Sequence, residues 1–196
     1  MPTGAYEVSR ERLTDVIAAA QRHGARVTED WNEPQGGRFI GTIDGNTITL
    51  FPKYDSHFAM MFTVAHLYGH LAQLTRPIDA HTQRAIDLVY AKPRLFSAEE
   101  VQCLFDYEWD AAVIGRTLLS ESMEVDPTTD LEYARMFWAD FHYLVNFLET
   151  GEAGLTAFDR YLRREPRPHL AVPRDVRPLP DVSLLAETKG GDAVVV

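Results

Sequence analysis

One segment, residues 57–74, constrains the fold of this chain most, because it is an apolar run that contains two histidines. Ser56 is a preferred residue for beginning a helix, and Pro77 cannot continue one, so the sequence predicts a single helix between them. A helix that is apolar on nearly every side is buried rather than placed on the surface. The rest of the chain must therefore enclose this helix.

The two histidines of this segment, His66 and His70, lie one helical turn apart on the same face. Two imidazoles at that spacing can bind one metal ion at about 2.0–2.1 Å from each ring nitrogen. The alternative is a pair of hydrogen-bonded core histidines, because a buried imidazole needs a polar partner. Gly69 costs about 1 kcal/mol inside a helix relative to alanine, which indicates that another chain segment or a substrate approaches closely there. We predict a metal site.

The remaining segments predict an α+β fold, with an early hairpin beside a mostly helical bundle. β-branched residues on both sides of Asp44-Gly45 favour a hairpin over residues 37–51, preceded by a short strand at 25–31. Helices are predicted at about 9–23, 80–91, 97–121, 129–150 and 155–164. The domain is expected to span residues 1–165. Repeated prolines after residue 165 favour an extended or disordered tail over residues 166–196.

Composition limits the possible partners and location. With 19 basic and 29 acidic residues, the formal net charge of −10 argues against nonspecific binding to nucleic acid or to an anionic membrane. The single cysteine, Cys103, allows no intramolecular disulfide and no cysteine-based zinc knuckle, and it is predicted to be a small core residue. We find no signal-peptide pattern and no apolar run long enough to span a membrane, so we expect a cytoplasmic protein.

The buried helix contains the run Phe62-Thr-Val-Ala-His-Leu-Tyr-Gly-His-Leu-Ala72, and a later helix contains Glu108-Trp-Asp-Ala111, followed by Leu118-Leu119. These segments resemble the active-site helix and the second helix of the ImmA/IrrE family of metallopeptidases. That family has the patterns Phe-Thr-x-Ala-His-Glu-x-Gly-His and Glu-x-x-Ala, the second followed by a leucine pair. The resemblance covers residues 9–121. It implies a zincin-like fold, in which a short β-sheet packs on helices and the HxxxH helix is buried.

The resemblance also implies a ligand set for zinc. His66 and His70 match the two histidine ligands of the family, and Glu108 matches its third ligand, which leaves a fourth position open for water. From the residues alone, Glu108 is equally well interpreted as a surface or capping carboxylate. Three other residues are alternative third ligands: Asp110, His142 and Asp106.

Leu67 occupies the position at which the family has its catalytic glutamate. That glutamate takes a proton from metal-bound water and passes it to the leaving amine, which a leucine cannot do. The replacement argues against peptidase chemistry by the family mechanism. Another base is conceivable, with Tyr68, Asp110 or Glu108 as candidates, although Tyr68 points about 100° further round the helix than Leu67. A third interpretation is that the two histidines bind no metal.

Two functions follow from this pattern. The first is a regulatory metal-binding pseudoenzyme that binds a peptide or protein without cutting it. The alternative is an active, divergent zinc-dependent peptidase or hydrolase that uses another base and acts on a regulatory protein. The resemblance implies a transcriptional repressor as the type of partner. Neither function involves nucleic acid or a membrane.

Overall fold

The computed structural model describes residues 8–31, 41–51, 56–152, 172–173 and 178–187. Within these residues the fold is α+β, with five α-helices and one small sheet, which confirms the predicted class. The elements in chain order are α1 (Arg10–Arg22), β1 (Arg26–Glu29), β2 (Gly41–Asp44), β3 (Thr47–Leu50), α2 (His57–Leu74), α3 (Ala80–Val89), α4 (Ala98–Ser122), α5 (Pro127–Thr150) and a 3₁₀ turn (Ser183–Glu187).

Three helices begin where the sequence predicts, because each has a serine that caps its first turn. The Ser9 hydroxyl accepts a hydrogen bond from the backbone N–H of Arg12 in α1, and the Ser56 hydroxyl accepts one from that of Ala59 in α2. At α4, Ser97 and Glu100 form the complete capping box, in which each side chain accepts from the backbone of the other residue. These side chains fix the starts of α1, α2 and α4.

Two helix boundaries differ slightly from the prediction. Helix α5 begins at Pro127 rather than at about residue 129, because Asp126 caps it and proline suits the first helical position. It ends as predicted at Gly151, which has a φ of 72°. Helix α3 ends at Val89 rather than at about residue 91. The helix predicted at 155–164 lies outside the described residues.

The sheet has the strand order β1-β3-β2. Strands β2 and β3 form the predicted antiparallel hairpin, and β1 adds to β3 in parallel. The hairpin loop is Gly45-Asn46, one residue later than expected, because Asp44 pairs with Thr47. Gly45 has a φ of 55°, which favours glycine. Residues 37–40 of the predicted hairpin lie outside the described chain.

Helix α2 is the centre of the fold. It packs on α1, on α4 and on the hairpin, and nearly all of its residues are buried. Gly69 lets α4 approach, because a Cβ there would overlap the carbonyl group of Ala111, and Gly115 has the same relation to Ala65. The close approach predicted at Gly69 is therefore confirmed. Cys103 is buried in the core, also as predicted.

Part of the predicted tail packs against the domain. Val182 is fully buried, and its backbone N–H donates to the carbonyl oxygen of His23 at 2.8 Å. The Tyr68 hydroxyl donates to the carbonyl oxygen of Pro180 at 2.6 Å. Residues 178–187 are thus held against the domain by one apolar side chain and two hydrogen bonds. Apart from 172–173, the other residues of 166–196 lie outside the described chain. No described helix combines the length and apolar character needed to cross a bilayer.

Candidate metal site

Helices α2 and α4 bring together His66, His70 and Glu108, the three residues for which the sequence predicted metal binding. Glu108 Oε2 lies 3.0 Å from His66 Nε2 and 3.2 Å from His70 Nε2. The two Nε2 atoms lie 3.3 Å apart. One nitrogen from each ring and one carboxylate oxygen therefore converge on a single point.

The three side chains are almost completely buried. Their exposed fractions are 3% for His66, 0% for His70 and 2% for Glu108. The close crossing at Gly69 explains this burial, because it brings α4 within reach of both imidazoles. The interpretation of Glu108 as a surface carboxylate is wrong.

The hydrogen bonds around His70 show that its Nδ1 atom carries a proton. Its Nδ1 lies 3.0 Å from Gln73 Oε1. The Gln73 amide nitrogen donates to the carbonyl oxygen of Tyr107 at 2.7 Å and to Asp110 Oδ2 at 3.2 Å, which fixes the amide orientation. Gln73 Oε1 must then accept from Nδ1–H of His70, and a neutral His70 directs the lone pair of Nε2 at the other two ligand atoms. Histidines that bind a metal through one ring nitrogen commonly donate the other ring N–H to a protein oxygen in this way.

Hydrogen bonds among the described residues do not satisfy the whole group. His66 Nδ1 and Glu108 Oε1 are buried and have no partner there. The lone pair of His70 Nε2 faces a carboxylate oxygen, which is repulsive unless a proton or a cation lies between them. The facing lone pair and carboxylate oxygen favour a proton or a cation at the point of convergence, whereas the unpartnered His66 Nδ1 and Glu108 Oε1 are the outer atoms of their side chains.

The separations of the three ligand atoms fit a metal ion. Two ligands that each lie about 2.0–2.1 Å from a tetrahedral metal are about 3.3 Å apart. The observed separations of 3.0, 3.2 and 3.3 Å are close to that value. His66, His70 and Glu108 could therefore hold a metal ion without a large movement of either helix.

The charges of the group are strongly coupled. Burial alone would raise the pKa of Glu108, but without a metal the positive charge of a His70 that also carries a proton on Nε2, and hydrogen bonds from both imidazoles, lower it to about 2. Burial alone would lower the pKa of His66, but the hydrogen bond and the charge of Glu108 outweigh it and raise that pKa. Glu108 is therefore an anion, the form that binds a metal.

A second carboxylate, which sequence reasoning missed, lies beside the group. Asp140 on α5 has its Oδ2 atom 3.8 Å from His66 Nε2, and its side chain is 28% exposed. Burial and the nearby Glu108 carboxylate raise the pKa of Asp140 to about 6, against the opposing effect of His66. The available signal was an aspartate between the buried residues Ala139 and Phe141 of an apolar helix.

Leu67, at the position of the family's general base, and Tyr68, a weak candidate for an alternative base, have these surroundings in the structure. Leu67 is 2% exposed and lies under β2, where its Cδ1 would be 3.0 Å from a Cβ at Gly41. It forms an apolar wall. The Tyr68 hydroxyl donates to the backbone at Pro180, and burial raises its pKa far above the ordinary value. Tyr68 therefore serves packing and the attachment of the C-terminal segment.

The alternative third ligands lie away from the point of convergence. Asp110 accepts from Gln73 and from the guanidinium of Arg76 at 3.1 Å, so it supports the group from outside. Asp106 is exposed and pairs with His81 at 3.4 Å. His142 is exposed on α5. Among the described residues, Glu108 and none of these three joins His66 and His70 in a group that could hold a metal ion.

Comparisons with protein-family models, with curated proteins and with solved structures give no match to this chain. The resemblance to the ImmA/IrrE metallopeptidases therefore stays a prediction from the two sequence segments.

Proposed function

We propose that this protein is a cytoplasmic, regulatory zinc-binding protein with a zincin-like core of the ImmA/IrrE type, and that it does not act as an ordinary peptidase. The observation that carries the proposal is the convergence of three buried ligand atoms, from His66, His70 and Glu108, within 3.0–3.3 Å of one another. A bound zinc would supply a Lewis acid with an open coordination position.

The chemistry of the donors supports zinc rather than a hard cation. Two imidazole nitrogens and one carboxylate oxygen are typical of zinc, whereas magnesium and calcium prefer oxygen ligands only. The hydrogen bond from His70 Nδ1 to Gln73 fixes the orientation of the imidazole, as hydrogen bonds to the other ring nitrogen do for histidines that bind zinc.

The apolar wall at Leu67 supports a binding role. The position that follows His66 holds no group that can accept a proton, and Tyr68 is engaged elsewhere. A general base contributes about 10²–10⁴-fold to a hydrolytic rate, so its loss leaves a metal site that binds better than it cleaves. We propose a protein or peptide partner, such as a transcriptional repressor, on the strength of the family resemblance. Nucleic acid is a poor partner for a chain with a net charge of −10.

A divergent hydrolase is the second candidate, and Asp140 is the observation that favours it. Its carboxylate lies 3.8 Å from His66 and is partly open to solvent. Zinc-dependent cleavage of unstructured casein by the wild type, absent in His66→Ala, would establish this alternative in place of the binding role.

Metal analysis tests the proposed zinc site. After zinc loading and removal of excess metal, we expect one zinc per chain in the wild type and a loss of bound zinc in His66→Ala and His70→Ala. Metal content is measured by atomic emission, with circular dichroism to confirm folding. His81→Ala is the matched control, because His81 is exposed and pairs with an exposed aspartate. Zinc retained in both variants, or absent from the loaded wild type, would contradict the proposal.

A further inference from the structure

Asp140 lies beside the buried His66, His70 and Glu108 group and is itself partly open to solvent. The group itself is 0–3% exposed, whereas the side chain of Asp140 is 28% exposed. Helix α5 therefore contributes a partly accessible carboxylate beside His66. The inference below rests on the proposed function, because it concerns the open side of that metal site.

The distances place Asp140 outside the ligand set. Its oxygen lies 3.8 Å from His66 Nε2, farther than the 3.0–3.3 Å that separates the three ligand atoms. The ligand atoms of His66, His70 and Glu108 all lie within 4.8 Å of one another, and Asp140 is not part of that group. Asp140 therefore lies next to a candidate ligand, His66, without being one of the three.

The charges indicate what such a carboxylate does. A divalent cation, two carboxylates and two neutral imidazoles sum to zero. An additional anion on the open side would make this buried group negative and would lie close to Asp140, which is costly at low dielectric. A neutral ligand that donates a hydrogen bond avoids that cost and gives Asp140 a partner.

We propose that Asp140 is a positioning residue that accepts a hydrogen bond from a neutral ligand, water above all, on the open side of the metal site, and that it disfavours anionic ligands there. Of the two carboxylates, Glu108 binds the cation, and Asp140 orients the neutral ligand beside it.

Azide binding to the cobalt-loaded protein tests this role without any assay of activity. Wild type, Asp140→Asn and Glu132→Gln are loaded with Co²⁺, and their visible absorption is followed as azide is added. Asparagine keeps the shape of the side chain and removes its charge. Glu132 is the matched control, because it lies on the same helix and pairs with Arg135 at 3.4 Å.

We expect Asp140→Asn to bind azide at least about tenfold more tightly than the wild type, since it removes one negative charge a few ångströms from the anion. Glu132→Gln should match the wild type. Equal azide affinity in Asp140→Asn and wild type would overturn the proposal. Loss of cobalt from Asp140→Asn alone would also overturn it, because Asp140 would then be a ligand. A wild type that takes up no cobalt would refute the proposed function itself, a failure visible before any variant is compared.

Discussion

Helix α4 presents two acidic residues, two positions apart, that each face histidine. Glu108 contacts His66 and His70 at 3.0 and 3.2 Å and is 2% exposed. Asp106 contacts His81 at 3.4 Å and is 47% exposed. Both places pair a carboxylate with histidine, but only Glu108 brings two imidazoles to one point.

The neighbouring helix makes the difference. Glu108 faces α2, which the close crossing at Gly69 brings near, whereas Asp106 faces the start of α3 at the surface. In the buried set every unpaired donor or acceptor is costly, so the atoms are held in one arrangement. In the exposed set water satisfies each group, and the ion pair adds little. Burial, more than the choice of residues, makes a candidate metal site.

The largest test of this comparison removes each carboxylate in turn from the metal-free protein. Glu108→Ala should lower the free energy of unfolding by about 3–5 kcal/mol, because it breaks a buried ionic group. Asp106→Ala should change it by no more than about 0.5 kcal/mol, since its pair is exposed. Urea unfolding in the presence of a chelator measures both values. Similar costs for the two variants would show that burial does not distinguish the sets.

The helix crossing can be tested with a matched pair of glycine substitutions. Gly69→Ala places a Cβ against the carbonyl of Ala111, and we expect a loss of about 3 kcal/mol together with weaker zinc binding. Gly151→Ala meets only Pro93 at 3.8 Å but strains a φ of 72°, so it should cost about 1 kcal/mol and leave zinc binding unchanged. Unfolding and zinc affinity are measured on both. Normal zinc binding by Gly69→Ala would show that the metal site does not depend on the close approach of α2 and α4 at Gly69.

The smallest effect concerns the ion pair between Arg94 and Glu100 at the N-terminus of α4. The hydrogen bond from Arg94, with those from Ser97, lowers the pKa of Glu100 to about 2 from an ordinary value of 4.5. Its stabilising effect is therefore complete above about pH 4.5 and is lost as the pH falls towards 2. The difference in melting temperature between wild type and Glu100→Gln should be small at pH 7 and should shrink between pH 4.5 and pH 2. A difference that does not vary with pH would contradict this assignment.

The sequence predicted the elements whose signals are local. Ser9, Ser56 and Ser97 place three helix starts through their own side chains. Spacing within one helix paired His66 with His70. Glu108 needed the family resemblance, because a carboxylate 38 residues from His70 has no local link to it.

The remaining features depend on tertiary packing. Asp140 reaches the site only because α5 packs beside α2 and α4. The amide of Gln73 is fixed by its hydrogen bond to the Tyr107 carbonyl on α4. The carbonyl of Pro180 is held by the hydroxyl of Tyr68. No pattern along the chain specifies which residues these side chains and carbonyls contact, so the contacts could not be predicted from the sequence.

The amide of Gln73 links the interior of the protein to its surface. One end accepts from His70, and the other donates to Asp110, which pairs with the half-exposed Arg76. Substitutions at this outer pair would change how firmly Gln73 holds the His70 ring in place, and hence how well its other nitrogen is aimed at a cation in the proposed site. Evolution could thus adjust metal affinity from the solvent face while every ligand stays the same.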